Sequence, residues 1–264
     1  MPMESPPRSR PAFSRLPLSI DTAPLLAALA DLDASLWQAH FNRDYYQGDW
    51  SGVALISTDS QVALVHGDGP AIKRQPWLQD PRWEQGLRGL DVEIRSARLL
   101  RLGPQSHIRE HRDYDLGGPD ADMRLHVPLL APEDVDFMLD DQRMPMRAGE
   151  CWFLDLYRLH SVNNHGDFPR IHLVIDCRPG PWLDAAIEGG LSSTPAPGVG
   201  RFNEAYARFA HWLASQPQVS AGLDALVERH AFIEASLACG REQGWVFGAD
   251  QVRTALRRRR EERR

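Results

Sequence analysis

A chain of 264 residues with 42% hydrophobic and 25% charged side chains has the composition of an ordinary globular protein, with length for a sizeable core in one large domain or two. A formal net charge of −6 and a pI near 5.9 exclude the basic footprint of a general nucleic-acid binder, so nucleic acid is not an expected partner. The opening segment has no apolar core of the signal-peptide type, and no long apolar run occurs anywhere, so no membrane association is expected and a cytoplasmic location fits.

Residues 1–20 are rich in Pro, Ser and Arg and read as a flexible arm. Order is expected from Asp21, the cap of a helix that sets Leu25, Leu29, Leu32 and Leu36 on one stripe. VALIS, followed after a polar interval by VALVHG, predicts a hairpin-like pair. That pair is the structural reading of FNRDYYQGDWSGVALIS; the functional reading is that Asn42, Arg43, Tyr45 and Trp50 line the mouth of a barrel. KRQPWLQDPRWEQGLRGLD then covers the sheet and ends in a short helix, WEQGLRGL, before the strand VEIRSARLLRLG. In that strand Arg98 and Arg101 are three apart and face opposite sides, and a surface position is expected for either.

HIREHRDYD comes next, with His111 and Asp113 separated by one residue. On an extended chain side chains two apart share a face, so this imidazole and carboxylate can converge. His160 follows much later, with Arg170 ten residues beyond it. Two imidazoles and one carboxylate that leave other positions open are the ligand set of non-haem Fe(II) oxygenases. SARLLRLGPQ, MRLHVPLL, GECWFLDL and RIHLVID are short, apolar β-type runs bounded by Gly, Pro and Asp, which puts the pair on β structure. The same context argues against a helical zinc pair made of His107 and His111.

Between the two halves of the motif, YDLGGPDADMR is a loop that offers Tyr114, Asp115 and Asp120 as substrate contacts, and APEDVDFMLDDQRMPMRAGE predicts a hairpin ending in a turn at Ala148 and Gly149. His107 and His165 are expected to be structural, and His172 to be a satisfied inward-facing group; His40, His66, His211 and His230 belong to no cluster. Cys151, Cys177 and Cys239 have no C-x-x-C spacing and read as buried free thiols.

After Pro181 the small-residue stretch EGGLSSTPAPGVGR reads as a linker. A helical module begins near Arg201, with Phe202, Tyr206, Phe209 and Leu213 at helical spacing, a break at QPQ, a continuation through Val219, Leu223 and Leu226, and a stop at Gly244.

RLLRLGPQSHIREHRDY, MRLHVPL, GECWFLD and HSVNNHGDFPRIHLVID together resemble the aspartyl/asparaginyl β-hydroxylase family, which includes bacterial free-proline hydroxylases, over roughly residues 40 to 182. The resemblance implies a double-stranded β-helix, or jelly-roll, fold and a hydroxylase dependent on Fe(II), 2-oxoglutarate and O2. It implies further that His111, Asp113 and His160 hold the iron, that Arg170 pairs with the distal carboxylate of 2-oxoglutarate, and that Arg124 and His126 face the site and contact cosubstrate or substrate carboxylates. A buried guanidinium matches a carboxylate bidentately, which agrees with the role of Arg170. The vertebrate members have glycine where Asp113 stands; the full triad makes this chain similar to the proline hydroxylases and argues against halogenation. YARFAHWLASQPQVSAGLDAL with ACGREQGWVFGADQVRTAL resembles the Nif11-like domain, a leader segment in peptide natural-product biosynthesis, which implies a peptide or protein partner docking on a face around Phe209, Trp212 and Trp245.

The expected organisation is therefore a flexible arm over 1–20, a jelly-roll oxygenase domain over 21–183, a linker over 184–200 and an α-helical module over 201–264. The expected substrate is an amino acid or a peptidyl residue of the Asp, Asn or Pro type. The alternative is a cupin-like metal-binding jelly roll without turnover, for which Arg170 has no use.

Overall fold

The computed structural model describes residues 10–58, 64, 69–118, 120–193 and 201–261. The chain divides into two compact units, one of residues 1–140 and 144–196, the other of residues 197–264 together with 141–143.

The first unit is built mainly from antiparallel strands. The strands in chain order are β1 (Phe13–Ser19), β2 (Gln38–Ala39), β3 (Tyr46–Gln47), β4 (Trp50–Ser57), β5 (Ile72–Lys73), β6 (Ile94–Leu102), β7 (Ser106–His111), β8 (Met123–Leu130), β9 (Val135–Leu139), β10 (Gln142–Arg143, whose residues fall in the second unit), β11 (Glu150–Leu154), β12 (His160–Asn164) and β13 (Arg170–Cys177). The larger sheet has the order β1-β11-β8-β13-β6-β4-β2, with β5 added to β4, and the smaller has the order β10-β9-β12-β7-β3. Four helices, α1 (Thr22–Ala30), α2 (Gln75–Gln79), α3 (Arg82–Gly86) and α4 (Pro181–Glu188), complete the unit.

Strand periodicity separates core from site. On β13 Ile171, Leu173, Ile175 and Cys177 join the main apolar cluster, as do Ala97 and Leu99 of β6 and Met123, Leu125, Val127 and Leu129 of β8. This face of the larger sheet is covered by Leu25 and Ala28 of α1, Trp77 of α2, Trp83 of α3, and Leu183, Ala186 and Ile187 of α4. The alternate residues, among them Arg98, Arg124, His126, Arg170 and His172, point the other way, toward the smaller sheet, and are buried despite their polarity.

Several expectations need correction. Phe13–Ser19, placed in a flexible arm, is an edge strand paired with β11, where Ser14 and Leu16 are buried and Pro17 falls in the irregularity between the Arg15 and Ser19 pairs. The domain does not end at 183, since α4 continues to Glu188 and buries Ala186 and Ile187. Asp21 does cap α1, accepting from the Ala23 amide at 3.0 Å, but the helix stops at Ala30, short of Leu32 and Leu36. The strand Trp50–Ser57 lies between β6 and the short β2 and β5, and most of the VALVHG run proposed as its hairpin partner falls outside the described residues. The hairpin of β9 and β10 turns at Asp140 and Asp141, both with positive φ, and Gly149, with φ of +83°, supplies the expected turn before β11.

In the second unit α5 (Arg201–Ala214), α6 (Pro217–Asp224), α7 (Arg229–Glu242) and α8 (Ala249–Glu261) pack around Phe209, Leu223, Ile233, Phe247 and Val252. Phe209 is buried inside this unit, and Trp212 packs on Trp245 at 5.8 Å. Phe209 thus belongs to the unit's own core, while Trp212 and Trp245 pack against that core and stay partly exposed. Among the described residues no helix is long and apolar enough to cross a membrane.

Candidate active site

A cavity of about 370 Å³ is lined by residues of both sheets, including His111, Asp113, Arg124, His126, His160 and Arg170. Its chemical centre is a group of three. His111 ends β7, Asp113 follows two residues later, and His160 begins β12; in the β12–β7 ladder His160 is the register partner of His111. Asp113 Oδ1 lies 3.4 Å from His111 Nε2 and 3.8 Å from His160 Nε2, and one donor atom from each residue falls within a 4.8 Å set.

The backbone determines which ring nitrogens converge. His111 Nδ1 is 2.7 Å from the Arg109 carbonyl and His160 Nδ1 is 3.0 Å from the Arg158 carbonyl. A carbonyl only accepts, so each Nδ1 carries a proton and each Nε2 is turned toward Asp113, the nitrogen that a neutral ring would offer to a metal. Neutral imidazoles oriented by a backbone acceptor are the form that ligates a metal. Burial, with His111 close by, pushes the pKa of His160 down to about 4, which keeps its Nε2 lone pair available at neutral pH. Burial works against the charge of Asp113, but Arg124 and the two imidazoles outweigh it and hold the carboxyl well below the usual carboxylate range. Two nitrogens and one anionic oxygen, preformed at one point, fit a divalent ion of the Fe(II) type.

A cationic wall surrounds this point. Asp176, wholly buried on β13, accepts from Arg124 Nε at 2.6 Å and Nη2 at 3.1 Å, from Arg98 Nη1 at 2.7 Å and from Ser96 Oγ at 2.9 Å. Arg124 also donates through Nη1 to Asp113. The expected cavity-facing position of Arg124 is observed, but most of its donors are engaged by Asp176 and Asp113. Arg98 is not a surface residue: it is buried, it lines the cavity, and it donates through Nη1 to both Ser96 Oγ and Asp176. Asp176 and Arg98 were missed because the sequence signals surface arginine by default. The signal that could have found them is register, since Arg98, Arg124 and Asp176 all occupy inward positions of adjoining strands.

Arg170 stands apart from this cluster. It is 2% exposed, its Nη2 donates to His172 Nδ1 at 2.8 Å, its guanidinium lies 5.7 Å from the Phe137 ring, and its Nε has no partner among the described residues. Burial pushes its pKa down to about 9, which leaves it charged at neutral pH. Because arginine only donates, His172 Nδ1 must be an acceptor; His126 Nδ1, 3.2 Å from the same atom, is then the donor. His126 Nε2 is consequently a lone pair, and it is buried without a partner. His172 is thus the satisfied inward-facing group that was expected.

At the mouth, Asn42, Tyr45 and Trp50 line the cavity, and so do Tyr114 and Asp115, whereas Arg43 and Asp120 do not. His40, read as isolated, stacks on Trp50 with ring centroids 3.4 Å apart. His107 meets Gln47 at 2.7 Å and His165 meets Asp136 at 3.0 Å, both as structural contacts.

An L-proline cis-4-hydroxylase from Rhizobium meliloti (strain 1021) is 27% identical to this chain over 168 residues, which cover 60% of this chain and 58% of that protein; the chain thus matches less than two thirds of that relative's length. Among solved structures, the non-heme alpha ketoglutarate dependent carbocyclase SnoK from nogalamycin biosynthesis is 15% identical, with a TM-score of 0.42 and coverage of 73% of this chain and 91% of that one. A Pseudomonas putida prolyl-4-hydroxylase is 18% identical, with a TM-score of 0.39 and coverage of 66% and 95%. The profile described as Aspartyl/Asparaginyl beta-hydroxylase matches residues 26–179, a span that contains every residue lining the cavity, and by that match the chain belongs to the aspartyl/asparaginyl β-hydroxylase family.

Proposed function

We propose that this protein is an Fe(II)- and 2-oxoglutarate-dependent oxygenase that hydroxylates an unactivated C–H bond of a carboxylate-bearing amino acid, free or within a peptide. The two sheets are read as the halves of a double-stranded β-helix. The observation that carries the proposal is Arg170, a buried cation without a carboxylate partner among the described residues, opening into the same cavity as the metal-competent triad of His111, Asp113 and His160. A protein that only bound a metal would bear the cost of that charge for nothing.

Iron with 2-oxoglutarate would supply oxygen activation: one oxygen atom enters the substrate C–H bond while the cosubstrate is oxidised to succinate and carbon dioxide. The chain's own residues do the positioning. His111, Asp113 and His160 would hold the metal and leave its other positions for ligands. Arg170 anchors the distal carboxylate of the cosubstrate, and Phe137 beneath it excludes water from the pair. Arg124 steadies Asp113 and is itself fixed by Asp176. His126 Nε2, as an acceptor, suits a ligand group that brings a proton, an ammonium or a bound water.

Charge supports the substrate class. Three buried guanidiniums, Arg98, Arg124 and Arg170, face two carboxylates, Asp113 and Asp176. A divalent ion raises that surplus of one positive charge to three, and a dianionic cosubstrate returns it to one. A substrate carboxylate beside Arg98 would pair with the remaining positive charge, while the ammonium of a free amino acid needs an acceptor of its own, His126 Nε2 being one that lines the cavity. Free L-proline, named in the relative from Rhizobium meliloti, is the first candidate, with free and peptidyl aspartate and asparagine next.

The test is an anaerobic titration of Fe(II) and 2-oxoglutarate, followed by exposure to oxygen with a panel of free amino acids and Asp- or Asn-containing peptides. Succinate formation matched by a substrate mass gain of one oxygen supports the proposal. Metal binding that is indifferent to 2-oxoglutarate would favour a non-catalytic binding protein instead.

A further inference from the structure

Two buried N–H donors without an acceptor stand on one rung of the larger sheet. Trp50 on β4 is the register partner of Leu102 on β6, and Leu102 is the partner of Arg170 on β13. Residues paired this way leave a sheet on the same face, and strands about 4.8 Å apart separate the first and third by roughly 10 Å, within reach of two long side chains. Trp50 is 7% exposed and Arg170 2%, both line the cavity, and Trp50 Nε1 and Arg170 Nε have no hydrogen-bond partner among the described residues. The indole is held firmly: His40 stacks on it, Tyr46 meets it edge-on at 5.6 Å, and it shares an apolar cluster with Leu102 and Phe137.

An indole nitrogen and a guanidinium only donate, so this end of the cavity asks for an acceptor with several lone pairs and a negative charge. The bare acceptor in the cavity, His126 Nε2, belongs to a different rung, where His126 pairs with Val174, four residues along β13 from Arg170. We propose that the Trp50 indole N–H is a second donor to the distal carboxylate of 2-oxoglutarate, shared with Arg170. This rests on the oxygenase reading above and adds a residue of β4 to the cosubstrate site. Trp50 thereby selects for a five-carbon dicarboxylate, because a 2-oxo acid without the distal carboxylate leaves the indole donor unpaired as before.

The test uses the full chain with Zn(II) as a redox-inert, diamagnetic metal. Calorimetry compares 2-oxoglutarate with 2-oxopentanoate, which has the same carbon chain without the distal carboxylate. Trp50→Phe keeps a ring against His40 and removes the donor; it should weaken 2-oxoglutarate at least tenfold and leave 2-oxopentanoate unchanged. In the parent protein, 15N-edited spectra should show one indole N–H resonance moving downfield with 2-oxoglutarate and not with 2-oxopentanoate, a readout that needs no variant to fold. An unchanged 2-oxoglutarate affinity in Trp50→Phe, equal losses for both ligands, or the absence of any indole shift in the parent overturns the role of Trp50. A parent that fails to bind 2-oxoglutarate with the metal overturns the oxygenase reading, and this inference with it.

Discussion

Replacing Arg170 with methionine should make the ligand-free protein more stable and the ligand-bound protein less so. Methionine fills similar volume against Phe137 and needs no hydrogen bond, whereas the arginine is buried as a cation with Nε unpaired and one neutral imidazole as its partner. Its folded pKa is depressed, so the folded state disfavours the proton, and the penalty is fully present below about 9, where both states are charged. An unsatisfied buried donor costs about 1–3 kcal/mol, so the empty variant should gain that much, or roughly 3–9 °C for a unit of this size. The bound state reverses the order. At a 2-oxoglutarate concentration of about 100 times its Kd, the parent gains about 2.7 kcal/mol, near 8 °C. Loss of a charge-assisted pair should raise Kd about a hundredfold, which leaves the variant about 0.4 kcal/mol, near 1 °C, at the same concentration. Thermal melts with Zn(II), with and without 2-oxoglutarate, decide the matter. A variant that melts below the parent when empty, or that keeps the full ligand shift, would refute both the unpaired-cation analysis and the anchoring role.

Asp113→Ala and His111→Ala should each abolish stable metal binding and succinate formation while far-ultraviolet dichroism stays native; metal titration of both variants checks this, and stoichiometric tight binding in either would remove the residue from the ligand set. Asp176→Asn should destabilise by about 3–5 kcal/mol in denaturant melts, because it leaves Arg98 and Arg124 buried around a neutral amide; a loss under 1 kcal/mol would mean that water or another group compensates. Burial raises the Cys151 thiol to about 12 and pushes Cys177 up as well, so alkylation of the native protein at pH 8 should spare both until unfolding, when the ordinary thiolate fraction returns. Mass mapping of Cys151 or Cys177 adducts formed at the native rate would contradict that burial.

What the sequence disclosed follows the physics of short range. His111 and Asp113 are two apart, so a strand alone brings them to one face, and the alternation in RIHLVID already separates Ile171, Leu173 and Ile175 from Arg170 and His172. The helical spacing around Phe209 and the turn at Gly149 were equally local. What stayed hidden depends on pairing between distant strands. Arg98 looks like any strand arginine until β6 is laid beside β13, where it reaches Asp176; Trp50 reads as a loop aromatic until β4 is laid beside β6. The strand Phe13–Ser19 was concealed by its Pro and Arg content, which the edge of a sheet tolerates and a central position would not.

The arrangement of the larger sheet explains how one fold holds so many buried charges. In an ordinary two-sheet sandwich the inner faces meet as the apolar core. Here the outer face of the larger sheet, sealed by α1 to α4, carries the main apolar cluster, while the inner faces combine a second cluster around Trp50, Leu102, Phe137 and Trp152 with Arg98, Arg124, His126, Arg170, His172 and Asp176. The main apolar cluster and the buried charges therefore occupy opposite faces of the same strands, one residue out of phase. A one-residue slip of β13 would exchange them, sending Ile171 and Leu173 into the cavity and Arg170 into the apolar cluster, so the register that fixes the core also fixes the site. The same separation lets the inner face keep groups that cost free energy in the empty protein, because the apolar face opposite is what holds the sheet together. Unpaired groups such as Arg170 Nε, Trp50 Nε1 and His126 Nε2 can then persist as a preformed demand for ligand atoms, and each ligand that meets one of them recovers part of that cost as binding.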